Sequence, residues 1–247
     1  IIDKIKGIQT PLLTYGIKND YDIYATDIKY RLDGVEFKLN TPIGTTDIDM
    51  NIPGEFSVYN ALTAASCGYV QGISLEDIKI GLESVEGVKG RFEVIAKEDF
   101  VVIIDFAHTP DALEKVLKSI KDFAEGRIVV LFGAGGDRDS SKRAPMGEIA
   151  AKYADFSIIT SDNPRTEDPQ RIIEDILIGT KKITNNYVSI VDRKEAIKYA
   201  LENSMKNDII LIAGKGHETY TIIGEETIPF DEREIVKELL KEISTIR

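Results

Sequence analysis

The sequence predicts an α/β protein whose C-terminal part is a doubly wound, mostly parallel, Rossmann-like sheet. Three observations carry that expectation. After Arg91, apolar strand patterns alternate with helical ones, the rhythm of βαβ units. Strands such as Val101-Val102-Ile103-Ile104 are apolar at every position, as a parallel sheet covered on both faces requires. Polar and glycine-rich motifs follow the strands, where open parallel sheets gather their ligands.

The elements follow in order. Residues 11 to about 53 alternate apolar and polar side chains in four short strands, Leu13–Tyr15, Tyr21–Tyr30, Val35–Leu39 and Thr46–Ile52. Asn19-Asp20, Asp33-Gly34 and Pro42-Ile43-Gly44 mark the turns, so an antiparallel region with one wet face is expected. Pro53-Gly54 opens an Ala-rich helix running to about Gly72. Ser74 caps a second helix, with Asp77 at the capping-box position and Ile78, Leu82 and Val85 as its apolar stripe. A glycine-bounded break, Gly87 to Gly90, divides the chain into domains 1–90 and 91–247. Beyond it, strands are expected at Phe92–Ala96, Val101–Phe106, Ile128–Phe132, Phe156–Thr160, Val188–Val191 and Ile209–Ala213. Helices are expected at about 111–124, 143–153, 170–179, 194–204 and 232–243, with a hairpin over Tyr220–Ile228.

Composition narrows the function classes. The 247 residues carry 31 basic and 42 acidic side chains, a net charge of −11, which argues against nucleic-acid and anionic-membrane partners. Cys67 is the single cysteine, leaving no disulfide frame and no thiolate metal site; a reducing cytoplasm fits. No apolar run approaches the ~20 residues of a membrane helix, and Ile1 to Lys6 show no signal-peptide core. The chain opens on Ile1 without an initiator Met, and a fragment of a longer protein is expected.

Four strand ends hold the candidate chemistry. Asp162-Asn163-Pro164-Arg165 follows the Phe156–Thr160 strand; Pro164 fixes its own φ and biases Asn163 towards extended backbone. Carboxylate, amide and guanidinium groups thus leave one strand end in a defined geometry. Asp105-Phe106-Ala107-His108-Thr109-Pro110 precedes a helix, with Thr109 as cap and Pro110 at the first position; Asp105 suits sugar hydroxyls and His108 a phosphate. Gly133-Ala134-Gly135-Gly136-Asp137-Arg138 permits close backbone approach to an anion. Arg138 stands where the dinucleotide fingerprint has its third glycine, which disfavours an NAD enzyme; Lys142 adds a point charge. Gly214-Lys215-Gly216-His217-Glu218 allows a tight turn bringing Lys215, His217 and Glu218 to the rim of Asp162 and Arg165.

Together these motifs, with Asn60 and Gly90-Arg91-Phe92-Glu93, resemble the Mur ligases of peptidoglycan synthesis, over some four fifths of the chain. Folylpolyglutamate synthases share the general plan, but Asp162 to Arg165 with Gly214 to Glu218 favours the Mur enzymes. The resemblance implies that Asn60, Arg91, Asp105 and His108 lie around ATP. It implies that Arg138, Asp162, Asn163, Pro164, Arg165, Gly214 and Glu218 hold the incoming amino acid. Arg165 points to diaminopimelate, since lysine-adding relatives have no distal carboxylate to bind. Ser57 replaces the family's usual Asn before the Asn60 helix. No G-x-x-x-x-G-K-[ST] loop occurs in the chain; the resemblance places that loop, the Mg²⁺ ligands and a carbamylated lysine earlier in a central ATPase domain. Residues 1–90 would then be the β-rich and helical end of that domain. The implied reaction joins meso-diaminopimelate to UDP-MurNAc-L-Ala-D-Glu at the expense of ATP, in a cytoplasmic monomer. The rival from another class is a non-catalytic nucleotide- or amino-acid-binding module.

Overall fold

A computed structural model describes residues 11–246; the reading of Ile1 to Lys6 lies outside them. Contacts divide the chain between Glu86 and Gly87, at the first glycine of the 87–90 stretch.

In the first unit a four-stranded sheet runs in the order β1 (Tyr15–Gly16), β2 (Ile23–Arg31), β3 (Gly34–Thr41), β4 (Gly44–Met50). The sheet is not wholly antiparallel as expected, because β1 pairs with β2 in parallel. The other two pairs are antiparallel. Alternation decides the faces: Ile23, Ala25, Val35, Phe37, Leu39, Ile48 and Met50 are buried. Helices α1 (Glu55–Val70) and α2 (Leu75–Glu83) supply Val58, Leu62, Ile78 and Leu82 to the same core. Val85 does not join the stripe; α2 ends at Glu83 and Val85 is exposed. Ser57 is buried and donates to the Pro53 carbonyl (2.7 Å). At α2 the Ser74 hydroxyl accepts from Asp77 N–H and donates to the Asp77 carboxylate. Ser74→Ala should therefore cost about 1 kcal/mol, read as a lower denaturant midpoint at unchanged slope; an unchanged midpoint would remove this cap from the account.

The second unit is built on a six-stranded sheet. Its order is β5 (Glu93–Lys97), β6 (Val101–Asp105), β10 (Ile209–Ala213), β7 (Ile128–Phe132), β8 (Phe156–Ile159), β9 (Tyr187–Ser189). Only the β5–β6 pair is antiparallel. Helices α6 (Arg193–Glu202) and α7 (Glu232–Ile246) pack together against Val102, Ile104, Leu131, Ile158, Ile210 and Ile212. Their neighbours Ile103, Val130 and Leu211 point the other way and are equally buried, so both faces are covered. Helices α3 (Pro110–Lys121), α4 (Arg143–Tyr153) and α5 (Pro169–Thr180) pack side by side, α4 between the other two. A hairpin of β11 (Tyr220–Ile223) and β12 (Glu226–Pro229) stands apart from the main sheet. The carboxyl ends of β6, β7, β8 and β10 thus present four loops at one edge, where such sheets bind ligands.

Candidate functional site

The loops after β7 and β8 are locked together. Gly136 N–H donates to the Asn163 carbonyl (2.9 Å), and Arg165 Nη1 donates to the Gly136 carbonyl (2.8 Å). Asp137 accepts from Thr166 through backbone and hydroxyl, which holds its carboxyl below the usual range. Asp137 (φ 53°) and Arg165 (φ 51°) both adopt left-handed backbone, a conformation that non-glycine residues keep only where surroundings enforce it. The hairpin enforces it at Arg165: Arg165 N–H donates to the Ile222 carbonyl and Gly224 N–H to the Arg165 carbonyl.

This locking adds to the reading of the glycine motif. Gly133 and Gly136 make room for the neighbouring loop, while Gly133 and Gly135 also line the pocket described below. A Cβ on Gly133 would lie 2.3 Å from the Thr160 carbonyl oxygen, and one on Gly136 only 1.9 Å from that of Pro164. Pro164 is buried beneath Gly136 and does not line the pocket.

Asn163 is nearly inaccessible, at 4 % exposure, and its amide is committed internally. Its Oδ1 accepts from Lys215 Nζ (2.8 Å) and Ile222 N–H (3.0 Å), and its Nδ2 donates to Glu218 Oε2 (3.0 Å). Lys215 corrects a second expectation, since it is wholly buried instead of standing at the rim. Its ammonium also donates to the Tyr220 carbonyl (2.9 Å) and lies 3.9 Å from both Asp162 and Glu218. Burial pulls its pKa down, against the two carboxylates. The amide and the ammonium therefore shape the Glu218 and Asp162 carboxylates from behind.

At the end of β6, Asp105 is also turned inward. Its two oxygens accept from Phe92 N–H (2.8 Å) and Ala107 N–H (2.7 Å), and burial raises its pKa. It thus fastens Phe92, itself left-handed at φ 45°, next to Arg91. Arg91 lies over the Phe106 ring at 4.7 Å, and both histidine rings flank that ring, His108 at 4.6 Å and His217 at 5.1 Å. Phe106 is the aromatic centre that motif reading passed over; the cue was its position between the Asp and His singled out.

These loops enclose a pocket of about 290 Å³. His108, Gly133, Gly135, Arg138, Lys142, Asp162, Asn163, Arg165, Gly214 and Glu218, all singled out from sequence, line it, joined by Phe106. Lys142 donates to the His108 carbonyl (2.9 Å), and burial lowers its pKa. Arg91 and Asp105 do not line the pocket, and Asn60 lies exposed on α1 in the first unit. Among the described residues, neither Arg138 nor Arg165 has a carboxylate at ion-pair distance; their contacts are to backbone carbonyls. The pocket therefore offers two guanidiniums without an ion pair and the Lys142 ammonium, together with the Asp162 and Glu218 carboxylates. That pattern suits a small zwitterion with more than one carboxylate.

Comparison with known proteins agrees with the fold and the motifs. Residues 90–216 match the Mur ligase glutamate ligase domain, and residues 1–68 match the Mur ligase middle domain. The chain belongs to the Mur ligase family. Within it, the similarity is to diaminopimelate ligases. The UDP-N-acetylmuramoyl-L-alanyl-D-glutamate--2,6-diaminopimelate ligase of Caldanaerobacter subterraneus subsp. tengcongensis is 52% identical over 243 residues, 98% of this chain and 50% of that protein. The enzyme of the same name from Clostridioides difficile is 49% identical over 244 residues, again 98% and 50%. A solved structure of a ligase of that name aligns with TM-score 0.69 and 35% identity, covering 98% of this chain and 50% of the other. The chain spans about half the length of the curated relatives it matches.

Proposed function

We propose that this chain is the amine-docking half of an ATP-dependent ligase that joins meso-diaminopimelate to UDP-MurNAc-L-Ala-D-Glu. The observation that carries it is one pocket lined by Arg138 and Arg165, neither in an ion pair, together with Asp162 and Glu218. Diaminopimelate has two carboxylates and two ammonium groups, so it complements both signs. Arg165 takes the distal carboxylate, with Arg138 beside it, while Glu218 and Asp162 take an ammonium. Arg91, Phe106 and His108 form the nucleotide side, with Asp105 as their fastening.

The chemistry runs in two steps. The dipeptide's D-glutamate γ-carboxylate takes the terminal phosphoryl group of ATP, giving an acyl phosphate and ADP. A diaminopimelate amine then attacks the acyl carbon, and the tetrahedral intermediate expels phosphate and loses a proton to leave the amide. The pocket's part is to hold the amine close and aligned. Among the described residues no three His, Cys, Asp or Glu side chains gather as metal ligands. The ligase would act as a cytoplasmic monomer.

The test is amide formation by the full-length protein from UDP-MurNAc-L-Ala-D-Glu, ATP and diaminopimelate, with one ADP released per bond. The 247-residue chain alone should bind diaminopimelate without turnover, since it has no phosphate-cradling G-x-x-x-x-G-K-[ST] loop. Lysine used as well as diaminopimelate by the full-length protein would overturn the substrate assignment.

A second expectation separates the nucleotide side from the amine side. Asp105→Asn leaves one of two buried N–H donors facing an NH₂ group, a loss of about 1–3 kcal/mol. Arg91 then loses its fixed place over Phe106. The KM for ATP should rise about tenfold while that for diaminopimelate stays within about twofold. A rise confined to the diaminopimelate KM would show the division of the rim to be wrong.

A further inference from the structure

We infer that Arg193, held by Glu232, is a positioning residue for the pocket: its guanidinium clamps the two strand ends that carry Asp162 and Gly214 and so sets affinity for the incoming amine. The second half of this inference rests on the proposed function; the first does not.

Arg193 opens α6 and Glu232 opens α7. Both are buried, with side chains 4 % and 0 % exposed, and Arg193 Nε donates to Glu232 Oε1 at 2.6 Å. The remaining guanidinium nitrogens reach two backbone carbonyls. Nη1 donates to Ser161 (3.2 Å) and Nη2 to Ala213 (2.9 Å). Ala213 ends β10, and Ser161 lies two residues past β8. Those strands are not neighbours, because β7 stands between them. No ladder hydrogen bond fixes one to the other, and Arg193 does so at the point where each enters the site. The next residues are Asp162 and Gly214, which meet so closely that a Cβ on Gly214 (φ 119°) would lie 2.7 Å from Asp162 Oδ2. A small change in the spacing of the two carbonyls therefore reaches Asp162 directly, and through Lys215 it reaches Asn163 and Glu218.

A contribution to stability alone explains this arrangement poorly. Glu232 Oε2 is buried and has no hydrogen-bond partner. Burial pushes the carboxyl up against the pull of Arg193. A buried pair with one oxygen left unsatisfied is a weak source of stability, and apolar replacements often do as well. The fork to two carbonyls is what apolar side chains cannot supply, nor can a lysine.

The experiment compares wild type and Arg193→Lys in the full-length protein. Lysine keeps a cation against Glu232 but cannot reach both carbonyls. Amide exchange at 161–165 and 213–218 should quicken at least about tenfold, with the sheet core unchanged. The KM for diaminopimelate should rise about tenfold or more, with kcat and the KM for ATP within about twofold. Unchanged exchange in both segments overturns the clamp. Faster exchange with an unchanged diaminopimelate KM overturns its bearing on amine affinity. Should Arg193→Lys fail to fold, Glu232→Gln keeps the shape and the Oε1 acceptor, and the same two readouts should move in the same direction, by about threefold; no movement overturns the proposal. A wild type that makes no amide with diaminopimelate defeats the proposed function instead, and the exchange readout still decides the clamp.

Discussion

Arg165→Ala should lower kcat/KM for diaminopimelate by roughly 10- to 150-fold, the loss of a hydrogen-bonded charge pair of about 1.5–3 kcal/mol. Two contributions enter, and they separate by substrate. The guanidinium's open side offers a carboxylate a fork that only a substrate with a distal carboxylate uses. Its Nη1 also holds the Gly136 carbonyl at 2.8 Å, a contact whose loss loosens the pocket for any amine. Lysine, lacking the distal carboxylate, feels only the second. The preference for diaminopimelate over lysine should therefore shrink, while the ATP KM stays near its starting value. Arg165→Lys should restore only part of the loss, because an ammonium cannot reproduce the fork. Arg165→Gly removes the side chain and also relieves the left-handed backbone at φ 51°. If it matches Arg165→Ala in kcat/KM, backbone strain is not part of the effect. An unchanged diaminopimelate-to-lysine ratio in the Ala variant would take Arg165 out of the specificity pocket.

The same site shows what the sequence makes legible and where it stops. Thr109 caps α3 with Pro110 at its start, and α4 spans Arg143–Tyr153, the range its periodicity predicts. These are local features, decided by residues a few positions apart. The parallel partner of β1 was not legible, because alternation states which face is buried and not which strand lies alongside. Lys215 shows the same limit more sharply. A lysine between two glycines reads as an exposed charge on a turn, and only the three-dimensional approach of Asn163 and Tyr220 gives its ammonium reason to be buried. The roles of Arg193 and Glu232, 39 residues apart in sequence, left no local trace at all. The hairpin was visible as a hairpin, but not as the support that holds Arg165 by its backbone. Motif spacing pointed to His108, Arg138, Asp162, Asn163, Arg165, Gly214 and Glu218, which share the pocket; it could not say that Asp105 and Pro164 lie outside it or that the Asn163 amide is committed to the protein.

Gly136→Ala should be as damaging to amine use as the loss of Arg165, although Gly136 offers no side chain to any ligand. Its φ is not positive, so alanine meets no intrinsic backbone conflict there and the whole effect is steric. The added Cβ would lie 1.9 Å from the Pro164 carbonyl oxygen and 3.3 Å from Glu167 Cβ. The first neighbour is backbone and cannot swing aside, so one of the two loops must move. Movement breaks a set of contacts together: Gly136 N–H to Asn163, Arg165 to the Gly136 carbonyl, and Asp137 to Thr166. Overpacking of this kind costs about 1–3 kcal/mol of stability. Displacing Asp162, Asn163 and Arg165 by roughly 1 Å should cost on the order of 100-fold in kcat/KM for diaminopimelate. Unlike Arg165→Ala, the substitution should harm lysine and diaminopimelate alike, because both use the carboxylate side of the pocket. Gly135→Ala separates the two effects: its Cβ would lie 3.0 Å from Arg165 Nη1 and 3.7 Å from Arg138 Cγ, so it presses on side chains and not on backbone, and its cost should fall on diaminopimelate more than on lysine. Steady-state kinetics on the two variants, with denaturant unfolding alongside, decide the matter. If Gly136→Ala retains wild-type kcat/KM, the interlock of the two loops does not position the pocket.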